Sequence, residues 1–139
     1  MEQVFPRKIE SLEKIFHFVR LFGSQYKLKD GLLFSMDFII EEIFTNMVKY
    51  NPAGGSDIII MLEHQPAELV LTLVDSDADP FDITQSPAVD TTQNLMERQV
   101  GGLGIHLVRQ MADAIEFSYS NRQNKIVIRK KLEDTDADS

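Results

Sequence analysis

The sequence predicts an α+β fold, a two-layer sandwich in which three helices cover one face of a mixed, mostly antiparallel sheet. Segments with strand and helix periodicity follow the order β-α-α-β-β-loop-α-β-β, and tight turns between consecutive strands favour antiparallel pairing. A chain of 139 residues with 43% hydrophobic content suits a single core. We therefore expect one domain over residues 1–132 and an unpacked tail over residues 133–139, which carry four acidic side chains.

Two N-terminal helices are predicted from apolar residues that recur at helical spacing. In the first, Ser11 can cap the start and Gly23 can end the helix. The second opens at Asp30 or Gly31 and stops before Asn51, which precedes a proline. The apolar positions are Leu12, Ile15, Phe16, Val19 and Phe22 in the first helix, and Leu32, Met36, Ile40, Ile43 and Met47 in the second.

The predicted strands are short and flank turn residues. Residues 4–9 are predicted as an edge strand, because Pro6 has no N–H to donate to a neighbour. Two antiparallel pairs, rich in β-branched and other apolar residues, follow around turns. They are residues 57–64 with 68–75, and residues 114–119 with 125–129 around a turn at 120–124.

Charge and composition exclude several classes of function. Fourteen basic and 22 acidic residues give a net charge of -8, so the surface repels phosphodiester backbones and nucleic acid is not an expected partner. The chain has no cysteine, hence no disulfide or thiolate metal site. The longest apolar stretch, residues 32–40, is far shorter than the ~20 residues that a membrane span needs. We expect a cytoplasmic protein without a membrane partner.

Glu42, Asn46 and Lys49 form one narrow stripe beside the apolar face of the second helix. At about 100° per residue around the helix axis, Asn46 lies about 40° from Glu42, and Lys49 lies about -20° from Glu42. A carboxylate one turn from an amide can polarise a hydroxyl or water, while the amide oxygen ligates a hard cation such as magnesium. The alternative is an ordinary solvated helix flank. Glu41 lies outside the stripe.

Two further segments have the composition of a nucleotide site. Asp75 ends the second strand of the first pair, where a carboxylate can accept a hydrogen bond from the exocyclic amine of a purine; the alternative is an ordinary turn residue. Gly101, Gly102 and Gly104 open the third helix, whose free N–H groups can face phosphates; the alternative is tight helix packing. Residues 82–100, long and polar, are expected to form a lid, a binding loop or a disordered connection.

Taken together, these segments resemble the anti-sigma-factor serine/threonine kinases of bacteria, members of the histidine-kinase-like ATPase superfamily with the Bergerat ATP-binding fold. The run from Glu42 through Asn46 to Lys49 matches the family's N-box, and residues 97–109 match its glycine box. The resemblance implies that Glu42 is the catalytic general base, that Asn46 holds Mg²⁺, and that residues 82–100 are the ATP lid. The nucleotide-binding residues that it implies are Asn46, Lys49, Asp75, Asp77, Arg98, Gly101, Gly102, Leu103, Gly104 and Ile105.

The middle motif departs from the family pattern. Relatives have Asp-x-Gly at this point, whereas this chain has Asp75, Ser76 and Asp77, so the glycine is replaced by a carboxylate. Asp75 is chosen as the adenine ligand because it ends the strand, and Asp77 competes for that role. A Cβ and a negative charge at position 77 are expected to weaken nucleotide binding.

The function implied by the resemblance is phosphorylation of a small anti-anti-sigma protein on serine with ATP and Mg²⁺, and sequestration of a sigma factor. The resemblance also implies a homodimer, formed through the sheet or the first helix. The alternative, motivated by Asp77, is a binding module that sequesters a regulator through a nucleotide site that is weak or catalytically inactive.

Overall fold

The computed structural model describes residues 1–50, 56–78, 80 and 102–132. The element order is the predicted one for these residues. Residues 82–100, the acidic tail, Arg98 and Gly101 lie outside them. The elements are β1 (Glu2–Phe5), a 3-10 turn (Ile9–Ser11), α1 (Leu12–Tyr26), α2 (Asp30–Tyr50), β2 (Ile58–His64), β3 (Glu68–Ser76), α3 (Gly102–Met111), β4 (Ala114–Ser120) and β5 (Gln123–Lys131).

The described strands form one five-stranded sheet in the order β1-β2-β3-β5-β4, and every neighbouring pair is antiparallel. The α+β prediction is therefore confirmed. β1 is an edge strand, but the predicted bounds of residues 4–9 are wrong: the strand spans Glu2–Phe5 and ends before Pro6, which has no N–H to donate, and Ile9–Ser11 form the 3-10 turn. The central strand β3 pairs along its whole length with β5 and along most of it with β2, and its residues from Leu69 to Asp75 are all buried. A strand buried in this way requires that polar side chains within it find partners.

The hydrophobic core joins the helices to the sheet. Strand β2 alternates buried and more exposed residues, as a strand covered on one face does. Phe5 of β1 packs edge-to-face on Phe18 of α1, with ring centroids 5.6 Å apart. The buried faces of α1 and α2 and Val108 of α3 belong to the same core cluster. The three described helices are thus held against the sheet by one apolar layer.

Two predictions about the ends of α1 are wrong. Ser11 does not cap the helix, because its Oγ donates instead to the carbonyl of Pro6 at 2.7 Å. Gly23 does not end it, because the helix continues to Tyr26 and stops where Lys27 takes a left-handed conformation with φ 55°. Gly23 has a packing role instead: a Cβ built there would lie 2.7 and 2.8 Å from the two Cδ atoms of Leu33 on α2.

The turn between β4 and β5 is shorter than predicted. Ser120 pairs with Gln123, which leaves only Asn121 and Arg122 in the turn, with φ values of 51° and 59°. Positive φ at both central residues is the geometry that matches the twist of a two-residue hairpin. The strands consequently extend further toward the turn than residues 114–119 and 125–129.

We expect Gly23→Ala to lower the free energy of unfolding by about 1 kcal/mol, because overpacking against the buried Leu33 exceeds the gain in helix propensity. Gly31→Ala is the matched control: nothing lies within 4 Å of its Cβ position, so a gain of about 0.5 kcal/mol is expected. Denaturant titration measures both. The packing explanation is wrong if Gly23→Ala is as stable as Gly31→Ala, or if its cost persists in a Leu33→Ala background.

Candidate functional site

The polar stripe of α2 combines one buried and one half-buried side chain. Asn46 is only 4% exposed, Glu42 is half-buried, and Lys49 is exposed in the last turn of the helix. Because four residues make about one helical turn, Glu42 and Asn46 are neighbours along α2. Both lie beside the apolar face that packs into the core, which explains why a flank residue such as Asn46 is buried.

The amide of Asn46 is notable because no hydrogen bond joins it to another side chain or carbonyl among the described residues. Buried polar groups are nearly always paired, and an unpaired one costs about 1–3 kcal/mol. An amide oxygen is a suitable ligand for a hard cation that completes its shell with phosphate oxygens and water. No group of three His, Cys, Asp or Glu side chains in the described part of the chain could hold an ion by itself. Asn46 therefore fits a magnesium ion that is shared with a phosphate ligand.

The Glu42 carboxyl has a pKa above its ordinary value. Burial disfavours its charged form most, and repulsion from the neighbouring Glu41 carboxylate adds to the effect. A carboxylate whose pKa is raised toward neutrality is a better proton acceptor than a fully solvated one. Burial and the Glu41 carboxylate therefore shift the pKa of Glu42 in the direction that favours proton acceptance.

Asp75 is the penultimate residue of β3, one residue earlier than its predicted place at the strand end. It lies between Ile58 of β2 and Asn124 of β5 in the sheet register and is 3% exposed. Its Oδ1 accepts a hydrogen bond from Nη2 of Arg7, so that the two side chains form an ion pair. The carboxylate predicted to meet a purine is therefore engaged by a cation of the chain itself.

Arg7 holds three acceptors with one guanidinium group. Besides Asp75, Nε donates to the carbonyl of Ser56 at 3.1 Å and Nη1 donates to the carbonyl of Met47 at 3.3 Å. Met47 follows Asn46 in α2, so the guanidinium brings the end of β3 close to the helical turn that carries the buried amide. Sequence reasoning missed Arg7, because only the pairing of β1 at the sheet edge carries the residue after Pro6 to this place.

Asp77, at the position where the resemblance places a glycine, has a left-handed backbone conformation. Its φ is 54°, in the left-handed region that glycine enters without cost and that aspartate tolerates better than most residues. Its exposed side chain pairs with Arg122, Oδ1 lying 3.4 Å from Nε. Next to it, Ala78 donates its N–H to the Arg122 carbonyl and accepts from the Tyr119 hydroxyl, both at 2.9 Å. The segment after β3 is thus anchored to the β4–β5 hairpin.

The described part of the glycine box forms the first turn of α3. The helix begins at Gly102, so Gly102, Leu103, Gly104 and Ile105 contribute the backbone N–H groups that an α-helix leaves without an internal partner. Helix α3 packs against α2 and buries Val108 in the core. Helix α2 is therefore the element that contacts both α3 and, through Arg7, the end of β3. The assignments of Arg98 and Gly101 lie outside the described residues.

Comparison with known proteins agrees with this arrangement of helices on an antiparallel sheet, which is that of an ATP-binding domain. The family profile described as "Histidine kinase-like ATPase domain" matches residues 5–130, so the chain belongs to the histidine kinase-like ATPase family. No curated protein sequence matches the chain.

Two solved structures are similar in fold. A chain of the SiaB–SiaC complex from Pseudomonas aeruginosa is 12% identical with a TM-score of 0.60, over 95% of this chain and 89% of that chain. The Acinetobacter baumannii histidine kinase AdeS is 15% identical with a TM-score of 0.50, over 96% of this chain and 68% of that chain. Within the described residues, no helix combines the length and apolarity that crossing a membrane requires.

We expect Glu42→Gln to be more stable than the wild type at neutral pH. Since the folded-state pKa of Glu42 is raised, the unfolded chain loses this proton first, and stability falls as the pH rises through the two pKa values. Denaturant titration at neutral pH should reveal the difference, which should fade as the pH drops well below the ordinary value of 4.5, because the carboxyl is then neutral in both states. Glu41→Gln is the control, because it should lower the pKa of Glu42. Lower stability of Glu42→Gln at neutral pH would contradict this explanation.

We expect Asp77→Gly to be more stable than Asp77→Ala by about 1 kcal/mol, because only glycine enters the left-handed region freely. We also expect Asp77→Gly to bind MgATP more tightly than the wild type, since a negative charge and a Cβ are removed. Denaturant titration and calorimetry measure the two effects separately. Unchanged or weaker MgATP affinity would show that the charge and steric argument is wrong.

Proposed function

We propose that this chain is an ATP-dependent serine/threonine protein kinase that acts as an anti-sigma regulatory factor. The observation that carries the proposal is the buried Asn46 amide, without a protein partner among the described residues, one turn from a carboxylate whose pKa is raised. Membership of the histidine kinase-like ATPase family supports the use of ATP. The resemblance of the N-box and glycine box to anti-sigma kinases supports serine as the acceptor.

In this proposal, α2 supplies the general base and the metal ligand, and α3 supplies the backbone groups that bind the phosphates. Glu42 accepts the proton of the acceptor hydroxyl as its oxygen bonds to the γ-phosphorus, the bond to the bridging oxygen breaks, and ADP leaves. The Asn46 oxygen is the protein ligand of Mg²⁺, which neutralises phosphate charge when bound. The N–H groups of Gly102, Leu103 and Gly104 in the first turn of α3 face the phosphates, and Lys49 and Ile105 complete the proposed nucleotide-binding set.

The proposed partners are a small anti-anti-sigma protein, which carries the acceptor serine, and a sigma factor that the chain sequesters. The similarity in fold to SiaB or SiaC, which form a complex with each other, supports a protein partner. A homodimer is a further proposal that rests on the resemblance alone.

A second candidate function is a binding module that sequesters a regulator without phosphorylating it. The engagement of Asp75 by Arg7 and the charge of Asp77 favour this alternative, because both disfavour adenine at the end of β3. The two candidates differ in one observable, the transfer of a phosphoryl group.

The test is incubation of the chain with MgATP and an anti-anti-sigma protein of the same genome, followed by mass spectrometry for phosphoserine. We expect phosphorylation by the wild type and a loss of at least about 100-fold in Glu42→Gln, because a positioned base contributes about that much. Glu41→Gln, which changes the adjacent carboxylate outside the stripe, is the matched control and should remain active.

Absence of phosphoserine with the wild type would remove the kinase proposal, and a stable complex in the same sample would then support the binding module. Equal activity of Glu42→Gln and Glu41→Gln would remove the assignment of Glu42 as the base.

A further inference from the structure

The guanidinium of Arg7 is buried and makes three hydrogen bonds within the described residues. The Arg7 side chain is 5% exposed and the Asp75 side chain 4%. Its three hydrogen bonds end on Asp75 of β3, Met47 of α2 and Ser56 before β2, so it is fixed by three separate parts of the chain. A group held in this way is part of the folded structure and not a surface charge that happens to lie nearby.

The same carboxylate is the residue that, under the proposed function on which this inference rests, would read the exocyclic amine of adenine. That amine is a neutral N–H donor, and the carboxylate that it would meet already has its charge neutralised by the guanidinium bound at Oδ1, which makes both oxygens weaker acceptors. Displacing Arg7 would also break its bonds to two carbonyls and leave a buried cation without its partner. Adenine offers one neutral hydrogen bond in exchange, and this bond is weaker than the charge-assisted bond that Arg7 makes.

We propose that Arg7 is a specificity-determining residue which takes the place of the purine amine at Asp75, so that the site does not select adenine. Purine nucleoside triphosphates then bind through their phosphates, at α3 and the cation held by Asn46, and the 6-substituent of the base contributes little. The site accepts 6-amino and 6-oxo purines alike. A role in which Arg7 merely orients Asp75 toward the amine makes the opposite prediction, a strong preference for adenine.

The test compares MgATP with MgITP, which carries a 6-oxo group in place of the amine, by calorimetry. For the wild type, we expect dissociation constants within about threefold of each other, a difference of about 0.7 kcal/mol or less. For Arg7→Met, which frees Asp75, we expect MgATP to bind at least about tenfold more tightly than to the wild type and to be preferred over MgITP by a similar factor.

Arg20→Met is the matched control, because it removes the arginine of another ion pair, that with Asp37 at 2.5 Å on α1 and α2. It should bind both nucleotides as the wild type does. Its behaviour separates a local effect at Asp75 from a general effect of losing an arginine and its ion pair.

A wild-type preference for MgATP of about tenfold or more overturns the inference, and this measurement needs no variant to fold. Weaker MgATP binding by a folded Arg7→Met variant overturns it too, since that is the result of a positioning role. Binding of MgATP by Arg7→Met alone overturns the claim that the wild-type site accepts both purines, and it also contradicts nucleotide use by the wild type. Binding of neither nucleotide by either protein overturns both proposals, whereas equal wild-type binding without phosphotransfer contradicts only the kinase.

Discussion

The burial of strand β3 is the constraint on which the rest of the structure depends. It pairs on both sides, and seven consecutive residues from Leu69 to Asp75 are buried. An apolar strand accepts this environment readily, but a carboxylate at its end does not, because an unpaired buried charge is strongly unfavourable. Arg7 supplies the opposite charge from the segment after β1. The edge strand is therefore tied to the centre of the sheet by electrostatics as well as by main-chain pairing.

The same ion pair organises the candidate site. Through Met47 and Ser56, the guanidinium connects the end of α2 and the start of β2 to the carboxylate of β3. Helix α2 also packs against α3, so the helix that carries the buried amide contacts the helix whose first turn has N–H groups without a partner inside the helix.

At Asp77 in the middle motif, the backbone conformation and the side-chain charge have separate consequences. Asp77 has a positive φ, a conformation that glycine adopts most easily and that aspartate tolerates better than most residues. The substitution does change the local charge, and Arg122 partly offsets it at the surface. The backbone conformation and the local charge at this position therefore follow from different constraints, because φ concerns the main chain and the ion pair concerns the side chains.

The sequence by itself determined the α+β class, the order of the described elements and the position of Glu42 and Asn46 beside the apolar face of α2, because helical and strand periodicity are encoded in neighbouring residues. Helix ends were less predictable. The local sequence at Gly23 predicts a helix end, but α1 continues to Tyr26 and Gly23 instead allows close packing against Leu33. Only the tertiary structure revealed that Arg7 reaches Asp75, 68 positions away. That contact depends on the order of strands in the sheet, which arises from the packing of the whole chain and from no local pattern.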